Sequence, residues 1–340
     1  MDKLLSIVIA VYNVEQYIGK CLDSLIVSDD RMQKMEVLVI NDGTQDNSAI
    51  IAKEYEKKYP QTFRVIDKKN GGPGSAWNIG VKESSGKYLR FLDSDDWLVN
   101  LSEFLDKLDN CHVDLVFTDW YDYNIQNEEM ILRSLSSAME QDVLYKVEDY
   151  DWKKTDILPN STMLFNFHRC TYKTSILKEH QGIFIEGHMY ADMPLQILPL
   201  RFSKSFVYLG IPLYCYLHGR EGQSIDTAMR LKQLPSLLLG NKHIINFYHS
   251  HPVDNKNVDD RLRYIIDEHT VRHLRYVRYL CFSEFSSIAN DFLLWLTNNY
   301  PELFRSKLWS KNFKLYRISP TAYWLLARLV MSIAKIRKLL

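Results

Sequence analysis

The sequence is short of the features that usually settle a class at once. Cysteine is scarce: Cys21, Cys111, Cys170, Cys215 and Cys281 are odd in number and far apart, with no Cys-x-x-Cys. That pattern indicates neither a disulfide framework nor a zinc site and fits a reducing cytoplasm. No apolar run reaches the ~18 to 20 residues of a membrane span. The apolar start, Leu4 to Val11, lacks a basic n-region and a small-residue cleavage site, so it reads as a first strand rather than a signal peptide. Net charge is zero, 42 basic against 42 acidic residues, so the total argues for no polyanionic partner. Repeats and low-complexity tracts are missing as well. What is left, 46% hydrophobic and 25% charged over 340 residues, is globular composition in a chain long enough for one large domain with an appendage.

The first hundred residues alternate strand and helix. Leu5 to Val11 is a β-branched run, and Ile18, Cys21, Leu22 and Leu25 then fall at helical spacing over Val14 to Leu25. Glu36 to Ile40 is a second strand, with Asp46 or Asn47 available to cap a helix through Tyr59. Phe63 to Asp67, Pro73 to Glu83 and Lys87 to Leu92 continue as strand, helix, strand. Such alternation predicts a parallel sheet, whose ligands bind at the carboxyl ends of the strands. Tyr12, Asp42, Asn70 and Asp93 lie at or just beyond those ends and should converge. After the fourth strand stand Asp93, Asp95 and Asp96. Carboxylates so close stay ionised when a cation shares them, and hard oxygen donors suit Mg²⁺ or Mn²⁺. The plainer alternative is an acidic turn with Asp96 capping a helix.

Ser6 to Asn13, Val39 to Ser48, Asn70 to Gly80 and Phe91 to Leu98 together resemble, in order, the motifs of family 2 glycosyltransferases. The resemblance implies the α/β GT-A fold, Rossmann-like with a mostly parallel central sheet, and inverting transfer from a UDP-sugar. It casts Asp42 as acceptor for the uracil imide N–H, Ala10 and Tyr12 as walls of the base pocket, and Asn70 with its glycines as a loop admitting the nucleotide. It makes Asp93 and Asp95 the ends of a D-x-D that binds ribose and metal. Relatives often carry Ala-Arg-Asn where this chain has Ala76-Trp77-Asn78; Trp77 is expected either to stack on a sugar or base or to be core. Phe184 to Leu195 resembles the family's second acidic motif, with Asp192 kept and its neighbouring Glu replaced by Ala191. Asp192 is the expected general base, with helix capping as the plainer role. His218 to Ser224 resembles a loop over the donor diphosphate, which would put Arg220 on phosphate and His218 on the metal.

Asp114 to Trp120 reads as a further strand, Arg169 to Glu179 as a helix, and Val207 to Leu209 and Pro212 to Leu217 as two short strands. Beyond Asp226 only helices are expected. Residues 301–340 carry nine basic residues against Glu302, a net +8. In the last helix, Leu325, Leu329, Ile333, Ile336 and Leu340 share one face. A basic amphipathic helix suits the anionic inner face of a plasma membrane, with docking on its own domain or on a second subunit, in a homo-oligomer, as the alternative and no nucleic-acid motif in support of a third. The expected division is a GT-A catalytic domain over 1–225, with nucleotide-sugar and acceptor halves 1–100 and 101–225, and an all-helical region over 226–340. The expected activity uses Mn²⁺ or Mg²⁺ and a glycan acceptor linked to polyprenyl diphosphate, on the cytoplasmic side of the membrane. Two rivals are a sugar-nucleotide-binding module that has lost turnover and, from Gly72-x-Gly74, a dinucleotide-dependent oxidoreductase.

Overall fold

The computed structural model describes residues 3–158, 164–180, 182–220, 232–277 and 286–301, together with 318–319, 321–322 and 325–326. Four strands, β1 (Leu5–Val11), β2 (Met35–Asn41), β3 (Phe63–Asp67) and β4 (Tyr88–Asp93), lie parallel in the order β3-β2-β1-β4. Leu5, Ile7, Val8, Ile9 and Val11 of β1 are all fully buried; a strand covered on both faces carries consecutive rather than alternating apolar residues. The covering helices are α1 (Ile18–Asp23), α2 (Asp29–Gln33), α3 (Ser48–Lys58) and α4 (Gly72–Glu83). α4 sits hard on the sheet, since a Cβ at Gly80 would come within 2.2 Å of Val8. In register, Ala10 lies beside Ile40 on one side and Asp93 on the other, so the carboxyl ends line up as expected.

The following residues are β5 (Trp97–Leu98), α5 (Leu101–Asp109), β6 (Leu115–Asn124), β7 (Glu129–Arg133), β8 (Leu144–Lys146), β9 (Cys170–Lys173), α6 (Thr174–Glu179), α7 (Leu198–Phe202) and β10 (Ser205–His218). They extend one sheet in the order β3-β2-β1-β4-β9-β6-β10-β5. Two expectations change. The helix expected from Arg169 begins only at Thr174, because Cys170 to Lys173 pair antiparallel with both β4 and β6, Tyr172 opposite Leu89 and Leu115. Those buried β-branched and aromatic side chains fit a strand, and pairing with distant partners decides it. The two short strands expected over 207–217 are one, β10, bent where its pairing with β6 shifts register and Gly210 takes φ +64°.

By contact, the chain divides into two compact units, residues 1–221 with 253–260, and residues 222–252 with 261–340. Residues 234–250, 256–277 and 286–299 are helical. Among the described residues, no helix is long and apolar enough to cross a membrane. The basic helix expected over 320–340 lies almost wholly outside the described residues. Cys21, Cys111, Cys170 and Cys215 are buried, free thiols.

Candidate functional site

At the ends of β1 and β2, two loops are laced together. Asn13, at φ +52°, accepts the Gln45 N–H on Oδ1 at 2.8 Å, and its own N–H donates to Thr44 Oγ1 at 2.7 Å. Tyr12 stands beside them, 48% exposed. Asp42 is buried, and its carboxylate accepts from Lys68 Nζ at 2.5 Å and from the Gly71 and Gly72 N–H groups at 2.9 and 2.8 Å. Asn70 Nδ2 donates to the Asp42 carbonyl at 2.9 Å. Asp42 and Asn70 therefore meet, as expected of strand-end residues. Three of the four or so lone-pair directions of the Asp42 carboxylate are already used inside the chain. Lys68 escaped the sequence reading because its partner lies 26 residues away.

Asp93 ends β4, and its N–H donates to the Tyr214 hydroxyl at 3.1 Å. That hydroxyl in turn donates to Asp96 Oδ2 at 2.6 Å, while Asp96 Oδ1 accepts the Leu217 N–H at 2.8 Å. Asp96 thus holds β10 against the acidic loop and caps no helix; α5 starts after Asn100. Burial, then the charges of Asp95 and Asp192, push Asp93 well above the usual carboxylate range. Asp96 is raised by burial and by Asp95 and Asp93. Ligand atoms of Asp93, Asp96 and His168 lie within 4.8 Å of one another. Both ring nitrogens of His168 are buried without a hydrogen-bond partner, and burial pushes its pKa down to about 3, which keeps the imidazole neutral. Two carboxylates facing an orphaned neutral imidazole fit a divalent cation.

The expected cation set of Asp93, Asp95 and His218 is arranged differently. Asp95 is paired with Arg220, whose Nε donates to Oδ2 at 2.5 Å and whose guanidinium lies 5.5 Å from the Tyr17 ring. His218 Nε2 lies 3.1 Å from Asp122 Oδ1. Burial works to raise the Asp122 carboxyl, but hydrogen bonds from His218, Trp120 and Arg133 outweigh it and hold it down at about 2. Sequence reading passed over His168, a single residue in the turn before β9, and Asp122, a single residue in β6.

Asp192 sits on a loop clamped to the start of α4. Gly187 N–H donates to the Gly71 carbonyl at 2.6 Å, and Asn78 Nδ2 donates to the Phe184 carbonyl at 2.9 Å. A Cβ at Gly74 would stand 2.2 Å from the Ile185 carbonyl oxygen, so only glycine admits this approach. Asp192 precedes the short 3₁₀ helix Met193–Gln196 but makes no side-chain cap hydrogen bond. Burial pushes its pKa up to about 6. Trp77, the departure on α4, is 3% exposed and stacks on Phe91 at 4.6 Å, with Phe167 and Phe184 edge-on. Of the two roles open to it, the structure shows core packing. The Gly72 N–H is spent on Asp42, and the position of a dinucleotide fingerprint's third glycine is held by Trp77.

The family model described as glycosyl transferase family 2 matches residues 6–180. Glycosyltransferase GlyA of Streptococcus pneumoniae is 27% identical over 64% of this chain and 31% of its own length. The poly(ribitol-phosphate) beta-glucosyltransferase of Bacillus spizizenii is 30% identical over 66% of this chain and 34% of its own. The chain therefore spans about a third of either relative. Among solved structures, S. aureus TarS 1-349 in complex with UDP-GlcNAc superposes with a TM-score of 0.67 at 19% identity, covering 97% of this chain and 92% of that one. That likeness establishes the fold, GT-A.

Proposed function

The chain belongs to glycosyl transferase family 2, and from that premise we propose that it moves a hexose or N-acetylhexosamine from a UDP-sugar to a glycan acceptor, with inversion. The carrying observation is Asp192: a half-buried carboxylate, committed to no cap, raised to about 6, and close enough for its charge to act on Asp93 at the end of β4. A base of that pKa is ionised at neutral pH yet basic enough to take the acceptor hydroxyl's proton as the oxygen attacks the anomeric carbon. Ala10, Tyr12, Asp42 and Asn70 would receive the uridine, with Ala10 and Tyr12 walling its base, and Asp93 with Asp95 the ribose and diphosphate end. Mn²⁺ or Mg²⁺ held among Asp93, Asp95, Asp96 and His168 would supply neutralisation of the departing diphosphate. Arg220, now on Asp95, would turn its guanidinium fork to phosphate oxygens. The UDP-GlcNAc carried by a chain of the same fold, and relatives that act on poly(ribitol phosphate), support a UDP-sugar donor and a cell-surface polymer as acceptor. A polyprenyl-linked acceptor at the inner membrane face belongs to the same reading.

The test is UDP release from a panel of UDP-sugars, with Mn²⁺ and with chelator, on wild type, Asp95→Ala and Asp192→Asn. Cation-dependent release from one donor, lost in both variants, is expected. UDP binding without release from any donor would reduce the protein to a binding module, and no UDP binding would end the nucleotide assignment.

A further inference from the structure

β10 carries Tyr214, Tyr216 and His218 two residues apart and hence on one face. Their commitments differ. Tyr214 is tied to Asp93 and Asp96 through its hydroxyl, and His218 to Asp122 through its ring nitrogen. Tyr216 lies between them. The His168 ring packs between the two tyrosines, 4.6 Å from Tyr214 and 4.5 Å from Tyr216, at tilts of 37° and 31°. On its other side, Tyr216 meets His218 edge-on at 4.2 Å. The ring is clamped, while the hydroxyl has no hydrogen-bond partner among the described residues and is not sealed from solvent. A phenol hydroxyl can donate as well as accept, and the His168 ring it packs against offers a ligand atom within 4.8 Å of those of Asp93 and Asp96.

The clamped ring thus carries an unpaired donor beside the acidic cluster at the end of β4. On the transferase reading, Asp93 and Asp95 face the diphosphate and Asp192 faces the acceptor hydroxyl; the ligand part between them is the sugar being moved. We propose that Tyr216 contacts substrate, its hydroxyl donating a hydrogen bond to an oxygen of the transferred sugar. A pre-positioned donor there fixes the orientation of the ring without adding charge to a site already crowded with it.

Tyr216→Phe removes the hydroxyl and keeps the ring between its histidines. Calorimetric titrations of UDP, UDP-glucose and UDP-GlcNAc into wild type and variant, alongside steady-state kinetics, separate the possibilities. The expected result is an unchanged melting temperature, UDP affinity within twofold of wild type, and a Kd for the bound UDP-sugar raised about 3- to 10-fold, the worth of one hydrogen bond. kcat/KM should fall at least as far. Wild-type affinity for UDP-sugar in the variant would overturn the assignment while leaving the transferase reading intact. Equal weakening of UDP and UDP-sugar would overturn it too, by placing the hydroxyl on the diphosphate. A wild type that binds neither UDP nor any UDP-sugar would remove the transferase reading and this inference together.

Discussion

Two residues carry the sharpest consequences. Asp192, pushed up to about 6 by burial, is a carboxylate above that pH and a carboxylic acid below it. A base must be ionised to accept a proton, so kcat/KM should be flat above about pH 6 and fall about tenfold per unit below it. Initial rates across pH 4.5 to 8 would reveal a flat profile if another group serves as base. Asp192→Asn should lower kcat by about 10²- to 10⁴-fold with UDP affinity retained. Trp77 behaves otherwise: it packs against Phe91, Phe167 and Phe184, so Trp77→Ala should cost about 3–5 kcal/mol of stability. Urea unfolding with a loss under about 1 kcal/mol would contradict that packing role. Asp93, Asp95 and Asp192 were legible because acids next to one another, or inside a family motif, stand out in one dimension. His168 and Lys68 were not, since each matters only through groups 26 to 75 residues away, which folding alone brings near.

Between elements, the telling contact is α4 against residues 184–187. Asn78 and Gly74 fix the loop that carries Asp192, so a methyl at position 74 should displace the proposed base without touching it. Gly74→Ala is expected to reduce kcat by an order of magnitude or more and to destabilise the fold. Gly19→Ala, inside α1 with nothing within 4 Å of an added Cβ, should be neutral or stabilising by about 0.5–1 kcal/mol. Equal effects of the two would deny Gly74 its special place. Sequence pattern found β1 to β4 almost to the residue, because strands covered on both faces read as unbroken apolar runs. It lost β9 to a helix, since four residues pairing with strands 53 or more positions away have no local signature. α5 has a local signature that the sequence analysis left unassigned: Leu101, Phe104, Leu105 and Leu108 hold helical spacing and are all buried.

At the scale of the whole molecule, the site residues all belong to the unit built from residues 1–221 and 253–260. Ligand that binds only the folded form of that unit should stabilise it by about 2.7 kcal/mol at a hundredfold excess over Kd. Calorimetric scans with UDP should accordingly raise its melting transition by a few degrees, and a transition indifferent to UDP would argue against a preformed uridine site. The same unit holds Cys21, Cys111, Cys170 and Cys215, spread over a helix, a helix end and two strands. Burial lifts each thiol, Cys170 and Cys215 to about 12. Four sulfurs that are both hidden and undissociated are silent toward electrophiles while the sheet is closed. Alkylation then becomes a clock: mass-resolved labelling of these positions times how often this half of the protein opens, and donor in the crevice should slow all four together.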